Sequence, residues 1–125
     1  MTPKEAYHKA SALGKRIPEL EGIIIKDVLY SYRYALYVIK GRFILAEQTI
    51  SKNAYYSYLY ATYVIEGRWE LAEPIISKDA FYSYCYARDV IKGKLPDFMH
   101  NQMILNNNNN NNNNTYTKKY IEFIK

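Results

Sequence analysis

Three observations predict an all-α fold, a small α-solenoid of stacked helix-turn-helix units: a sequence step of 26 residues, a stripe of changing positions at helical spacing, and cap residues bracketing each copy. Residues 27–52 read DVLYSYRYALYVIKGRFILAEQTISK, and residues 53–78 read NAYYSYLYATYVIEGRWELAEPIISK. A third copy opens at Asp79 as DAFYSYCYARDVIKGK and then drifts. A worn leading copy precedes them, with Arg16, Glu21, Ile24 and Lys26 in register with Arg42, Glu47, Ile50 and Lys52. The organisation read from this is a helical domain over 1–105, comprising a degenerate copy (1–26) and repeats 27–52, 53–78 and 79–104.

Taken alone, the run YSYRY alternates as a half-buried strand would. Comparing the copies decides for helix. They differ at Leu29/Tyr55/Phe81, Arg33/Leu59/Cys85, Leu36/Thr62/Arg88 and Lys40/Glu66/Lys92. Those positions step by four, three and four residues, which is one stripe of a helix and both faces of a strand. Asp27, Asn53 and Asp79 are good N-caps, and Gly41, Gly67 and Gly93 sit where a left-handed glycine ends a helix. Each unit is expected to be a long helix, a glycine turn and a short helix.

The short helix follows a basic residue and a large apolar one (Ile17, Phe43, Trp69 or Leu95). Pro18 and Pro96 suit its first turn, and Glu19, Glu21, Glu70, Glu73 and Asp97 favour its N-terminal end. Pro74 is awkward there, since it removes a backbone bond one turn in. Ser31, Ala35 and Val38 are small enough to let helices approach. Tyr30, Tyr34 and Tyr37 are expected to stack on Tyr56, Tyr60 and Tyr63 as a ladder with hydroxyls at the rim. Residues 106–114 are all asparagine and read as a disordered spacer. Residues 115–125 have helical spacing and read as a cap over the last unit, with a tethered recognition segment as the other reading.

The pattern around YSYLYATYVIEGRWELAEPIISKD resembles a family of short tyrosine-rich helical repeats found in large DNA viruses of amoebae and in some bacteriophages. The resemblance covers about residues 27–99 and weakens over 94–103, where the Ala-Glu pair is missing. It implies a helical repeat fold and brings no activity, substrate or cofactor. It also implies an origin in which the protein acts in the cytoplasm of an infected host cell; the asparagine tract suits the A+T-rich genomes of giant viruses.

The chemistry-bearing residues are sparse. His8 and His100 lie far apart, with no second ligand one helical turn away. Cys85 is the single cysteine, which excludes an intrachain disulfide and fits a reducing compartment. Its equivalents Arg33 and Leu59 argue against a nucleophile. No glycine pattern for phosphate binding occurs. The recurring Arg42/Glu47 and Arg68/Glu73 spacing reads as salt bridges or caps tying one repeat to another. No apolar stretch approaches the roughly 20 residues of a membrane span, and the charged N-terminus lacks the core of a signal peptide. The expectation is therefore an intracellular, non-enzymatic protein without metal or cofactor.

With Lys and Arg at 17 against Asp and Glu at 12, the net charge is +5. That permits attraction to nucleic acid without demanding it. A repeat protein keeps its framework fixed and varies the face that meets partners. The expected partner-binding residues are thus Leu29, Arg33, Leu36, Lys40, Tyr55, Leu59, Thr62, Glu66, Phe81, Arg88 and Lys92, and the expected partner is another protein, which the viral resemblance implies is one of the host cell. Single-stranded RNA is the alternative, because helical repeats can combine aromatic stacking with basic charge. A remnant of a repeat family without a present partner is the third reading.

Overall fold

The computed structural model describes residues 1–108 and 114–125, and every regular element among them is helical. Helix α1 (Pro3–Leu13) opens on a reciprocal capping box between Thr2 and Glu5 and closes on Gly14, whose φ of 67° is left-handed. Helix α2 (Pro18–Ile24) places Pro18 in its first turn.

The long helices α3, α5 and α7 share one construction. Asp27, Asn53 and Asp79 cap them, each side chain accepting the N–H three residues on, from Tyr30 at 3.2 Å, Tyr56 at 2.9 Å and Tyr82 at 3.0 Å. They begin as α-helix over Val28–Arg33, Ala54–Tyr60 and Ala80–Tyr86, then widen into π-helix over Tyr34–Ile39, Ala61–Ile65 and Ala87–Ile91. The left-handed residue that ends each is Lys40, Glu66 or Lys92, all at φ 60°, and not the glycine that follows. The widened turn explains the shift. The N–H groups of Gly41, Gly67 and Gly93 reach back six residues to the carbonyls of Ala35, Ala61 and Ala87, at 3.1, 3.1 and 3.2 Å. The chain must therefore reverse one residue earlier, on a side chain that disfavours the conformation by about 1–2 kcal/mol.

Alignment with α1 shows where the extra residue entered. Buried Ala6, Tyr7 and Ala10 precede buried Ser31, Tyr32 and Ala35 by 25 positions, whereas Gly14 precedes Lys40 by 26. One residue has been added between Ala35 and Lys40, as a π-bulge does.

The short helices are tighter than expected. Helix α4 runs from a 3-10 turn (Ile44–Ala46) into Glu47–Ile50, and α6 from Glu70–Ala72 into Glu73–Ile76. Pro74 consequently falls in the first turn of the α-helical part, where its missing N–H has no partner to lose. The third copy departs further: its short helix is replaced by α8 (Asp97–Asn108), which starts after Pro96. The asparagine tract is thus not a spacer throughout. Residues 106–108 continue α8, Asn114 opens α9 (Asn114–Phe123), and the expectation for 109–113 falls outside the described residues.

Long helices pack on their predecessors: α3 lies between α1 and α5, α5 between α3 and α7, and α7 between α5 and α9. Ser31, Ser57 and Ser83 are fully buried between them, donating from Oγ to the carbonyls of Ile24, Ile50 and Ile76 at 3.1, 2.9 and 2.9 Å. These bonds satisfy hydroxyls that close helix approach would otherwise strand. The expected tyrosine ladder takes another form. Rings pair Tyr7 with Tyr30, Tyr32 with Tyr56 and Tyr58 with Tyr82. Tyr34 and Tyr60 are fully buried against Phe43 and Trp69 of their own units, at 4.9 and 4.7 Å between centroids. Tyr37 and Tyr63 are 59% and 56% exposed, because the π turn changes their angular position on the helix.

Candidate functional site

The recurrent charges form the joints of the fold. Arg16 grips Glu21 through Nε and Nη2, both at 2.8 Å, and the same two-pronged contact joins Arg42 to Glu47 and Arg68 to Glu73. These pairs lie within a unit, so the expected inter-repeat salt bridge is corrected. The link to the next unit comes from tyrosine. The hydroxyls of Tyr34, Tyr60 and Tyr86 donate to Glu21, Glu47 and Glu73 at 2.7, 2.7 and 2.6 Å. Each hydroxyl also accepts a main-chain N–H, from Ile17, Phe43 or Trp69, at 2.9, 2.8 and 2.8 Å. The carboxylates are buried, yet every one is held by a guanidinium and a phenol, as an interior charge requires. Arg16 holds the Glu21 carboxyl below its ordinary value, and Tyr34 is pushed up to about 12 by burial and then by Glu21. Burial raises Tyr60 and Tyr86 as well.

The varying stripe lies outside this framework. Leu29 is half-buried; Leu36 and Leu59 are half-buried and rest on the core. Arg33 is exposed, with its guanidinium 5.8 Å from the centre of the Tyr30 ring. Tyr55 and Phe81 are exposed at the opposite end of the helices from the π turns, where a row of rings runs Tyr32, Tyr56, Tyr55, Tyr82, Phe81, Tyr116 at 4.8–5.9 Å. Arg88 is exposed, lies over the Tyr84 ring and holds Asp89 at 2.8 and 2.7 Å. Asp89, drawn below the ordinary carboxylate range by Arg88, also accepts from the Tyr58 hydroxyl. Lys40, Glu66 and Lys92 are exposed on the left-handed turns.

Only part of the stripe converges. Thr62, Glu66 and Lys92 share a groove of about 340 Å3 with Asp89 between the π segments of α5 and α7. Leu36, Lys40 and Glu66 line a smaller one of about 180 Å3 with Tyr63, between α3 and α5. The two grooves meet at Glu66. Leu29, Arg33, Leu59 and Arg88 line neither groove, while Tyr55 and Phe81 belong to the ring row. The stripe reading missed Tyr37, Tyr63 and Asp89, which occupy one equivalent position. The substitution of Asp89 for tyrosine in the third copy was the signal, masked by counting that position as framework.

Cys85 is buried, and burial pushes its thiol up, away from the thiolate a nucleophile needs. Among the described residues no cluster of three His, Cys, Asp or Glu side chains could hold a metal ion, and no helix is long and apolar enough to cross a membrane. No family model, no curated protein and no solved structure matches this chain.

Proposed function

We propose that this chain is a non-enzymatic protein–protein interaction module, an α-solenoid of helix-turn-helix repeats that presents the π-ended termini of its long helices to a partner. The observation carrying this reading is the exposed set of Tyr63, Lys40, Glu66 and Lys92 around two adjoining grooves. Aromatic anchors beside charges of both signs are the composition of a protein interface. The framework beneath is fixed by the Arg–Glu–Tyr joints, so the side chains presented above it can vary while the joints stay the same. On the viral resemblance, the partner belongs to the host-cell cytoplasm.

The test is affinity capture from native cells with the wild type and with Tyr63→Ala, Glu66→Lys and Arg88→Glu. Specific proteins lost with Tyr63→Ala or Glu66→Lys support the reading, and a captured set unaffected by all three variants ends it. Single-stranded nucleic acid is the second reading, favoured by Arg33, Arg88 and Lys119 lying over Tyr30, Tyr84 and Tyr116. Titration of labelled RNA at low and moderate salt separates the two, since phosphate contacts must weaken as salt rises.

A further inference from the structure

We propose that the open groove between α7 and α9 is a docking site for an acidic peptide, which seats a carboxylate on the Tyr84 hydroxyl and an apolar side chain on Phe123. Helix α9 packs on α7 as the long helix of a following unit would. The Leu95 N–H donates to the Tyr120 hydroxyl at 3.1 Å, as the Trp69 N–H donates to Tyr86. Thr117, three residues before Tyr120, is fully buried like Ser83. Positions in the two helices therefore match outward from Tyr86 and Tyr120. Between α5 and α7, the Tyr58 hydroxyl donates to the Asp89 carboxylate, which Arg88 holds through two N–H groups. Tyr84 takes the place of Tyr58 one unit on. The position of Asp89, three residues beyond the joint tyrosine, falls to Phe123 in α9. The last interface thus keeps the phenol and lacks the carboxylate. Among the described residues the Tyr84 hydroxyl has no hydrogen-bond partner.

Tyr84 from α7 and Lys118, Lys119, Glu122 and Phe123 from α9 line this groove of about 560 Å3. Phe123 and both lysines are exposed, and Tyr84 is half-buried with the Arg88 guanidinium 5.4 Å from its ring centre. The other charges at the groove are answered locally: Arg88 pairs with Asp89, and Glu122 with Lys125 at 3.5 Å. Lys118 and Lys119 form no ion pair among the described residues, and Lys119 lies over the Tyr116 ring at 5.6 Å. A phenol donor, two unpaired ammonium groups and an exposed phenyl ring complement an anion carried beside an apolar group. The Tyr58–Asp89 contact shows which anion suits this phenol, a single carboxylate. Glu122 at the edge opposes the continuous run of phosphates of a nucleic acid, whereas one carboxylate needs only Tyr84 and a neighbouring lysine. The groove shares no lining residue with those at the π turns and does not rest on the function proposed for them.

The experiment titrates a short labelled peptide of alternating Asp and Leu into the full chain at moderate salt and follows its fluorescence anisotropy. Lys118→Glu combined with Lys119→Glu should weaken binding at least ~10-fold, and the charge-matched pair Lys4→Glu with Lys9→Glu on α1 less than ~2-fold. Tyr84→Phe should weaken it several-fold by removing the donor, and a peptide with Ala in place of Leu should lose as much by giving up its burial on Phe123. Tyr63→Ala and Glu66→Lys, which test the π-turn grooves, should leave binding of this probe unchanged. No binding to the wild type overturns the proposal, as does equal weakening by the two charge-matched pairs, which marks a general attraction to a basic chain. Tyr84→Phe binding as tightly as the wild type removes the carboxylate from the hydroxyl and overturns it too. A short labelled oligouridylate that binds more tightly than the peptide, and is lost with Lys118→Glu and Lys119→Glu, assigns the groove to nucleic acid instead. Should these variants lose their helical circular dichroism, nuclear Overhauser contacts on the wild type decide. Contacts from the peptide Leu methyls to the Tyr84 and Phe123 rings support the site, and their absence at saturation overturns it.

Discussion

The joints between units and the outward ends of the long helices come from the same copies, yet they follow opposite rules. At the joints, Arg, Glu and Tyr recur without change, because a buried carboxylate admits few ways of being satisfied. At the helix ends, the backbone recurs and the side chains do not: Lys40, Glu66 and Lys92 adopt the same strained turn with different charges. Identity is demanded where polar groups are desolvated. Where water is available, only shape is inherited.

The largest test of this contrast is Glu73→Ala. It removes the acceptor of the buried Tyr86 hydroxyl and the partner of Arg68, and should cost about 3 kcal/mol by denaturant unfolding. If the loss were only a few tenths, the joints would be ornament. Next comes alkaline pH. Tyr32, Tyr34 and Tyr58 are pushed up to about 12, so the folded state keeps protons that the unfolded chain releases near 10. Their contribution is complete below pH ~10 and is lost as pH rises toward about 12. A melting temperature falling over that window is the expected result. The opposite sign holds for Glu21 and Asp89, whose lowered values make their contribution full above pH ~4 and lost in acid.

Tyr60→Phe is milder, since Glu47 keeps Arg42 while the buried Phe43 N–H loses its acceptor. About 1–2 kcal/mol should be lost, read as a shift in the denaturation midpoint. The smallest effects belong to the helix ends and run the other way. Glu66→Gly should stabilise by about 1 kcal/mol by relieving the left-handed strain, whereas Gly67→Ala, with open space for its Cβ, should change stability by less than ~0.5 kcal/mol. A destabilising Glu66→Gly would mean that the carboxylate, not the turn, is what the position requires.

The sequence made the helices, their N-caps and the Arg-to-Glu spacing readable, because each depends on residues close along the chain. The partner of the recurring glutamate was less accessible. Tyr34 lies 13 residues beyond Glu21 and in the following unit, and only packing brings its hydroxyl to the carboxylate. The π insertion was invisible for a different reason. It recurs in all three clear copies, so comparing them with one another cannot expose it; only the α1 register, one residue shorter between Ala10 and Gly14, does. That single residue moved the left-handed turn off Gly41 and turned Tyr37 from the expected ladder to the surface. It therefore hid part of the candidate site while leaving the helical pattern intact.

Trp69 is the chain's one tryptophan, and its buried indole Nε1 has no hydrogen-bond partner among the described residues. Its ring lies 4.7 Å from Tyr60, and its own N–H main-chain group is bonded to Tyr86. The molecule thus carries a built-in optical reporter at the joint between its second and third full copies. Light absorbed by the surrounding phenols can pass to a single buried indole, and its emission should be blue-shifted while the joint is closed. Opening that one joint should shift the colour to the red before the helices themselves melt.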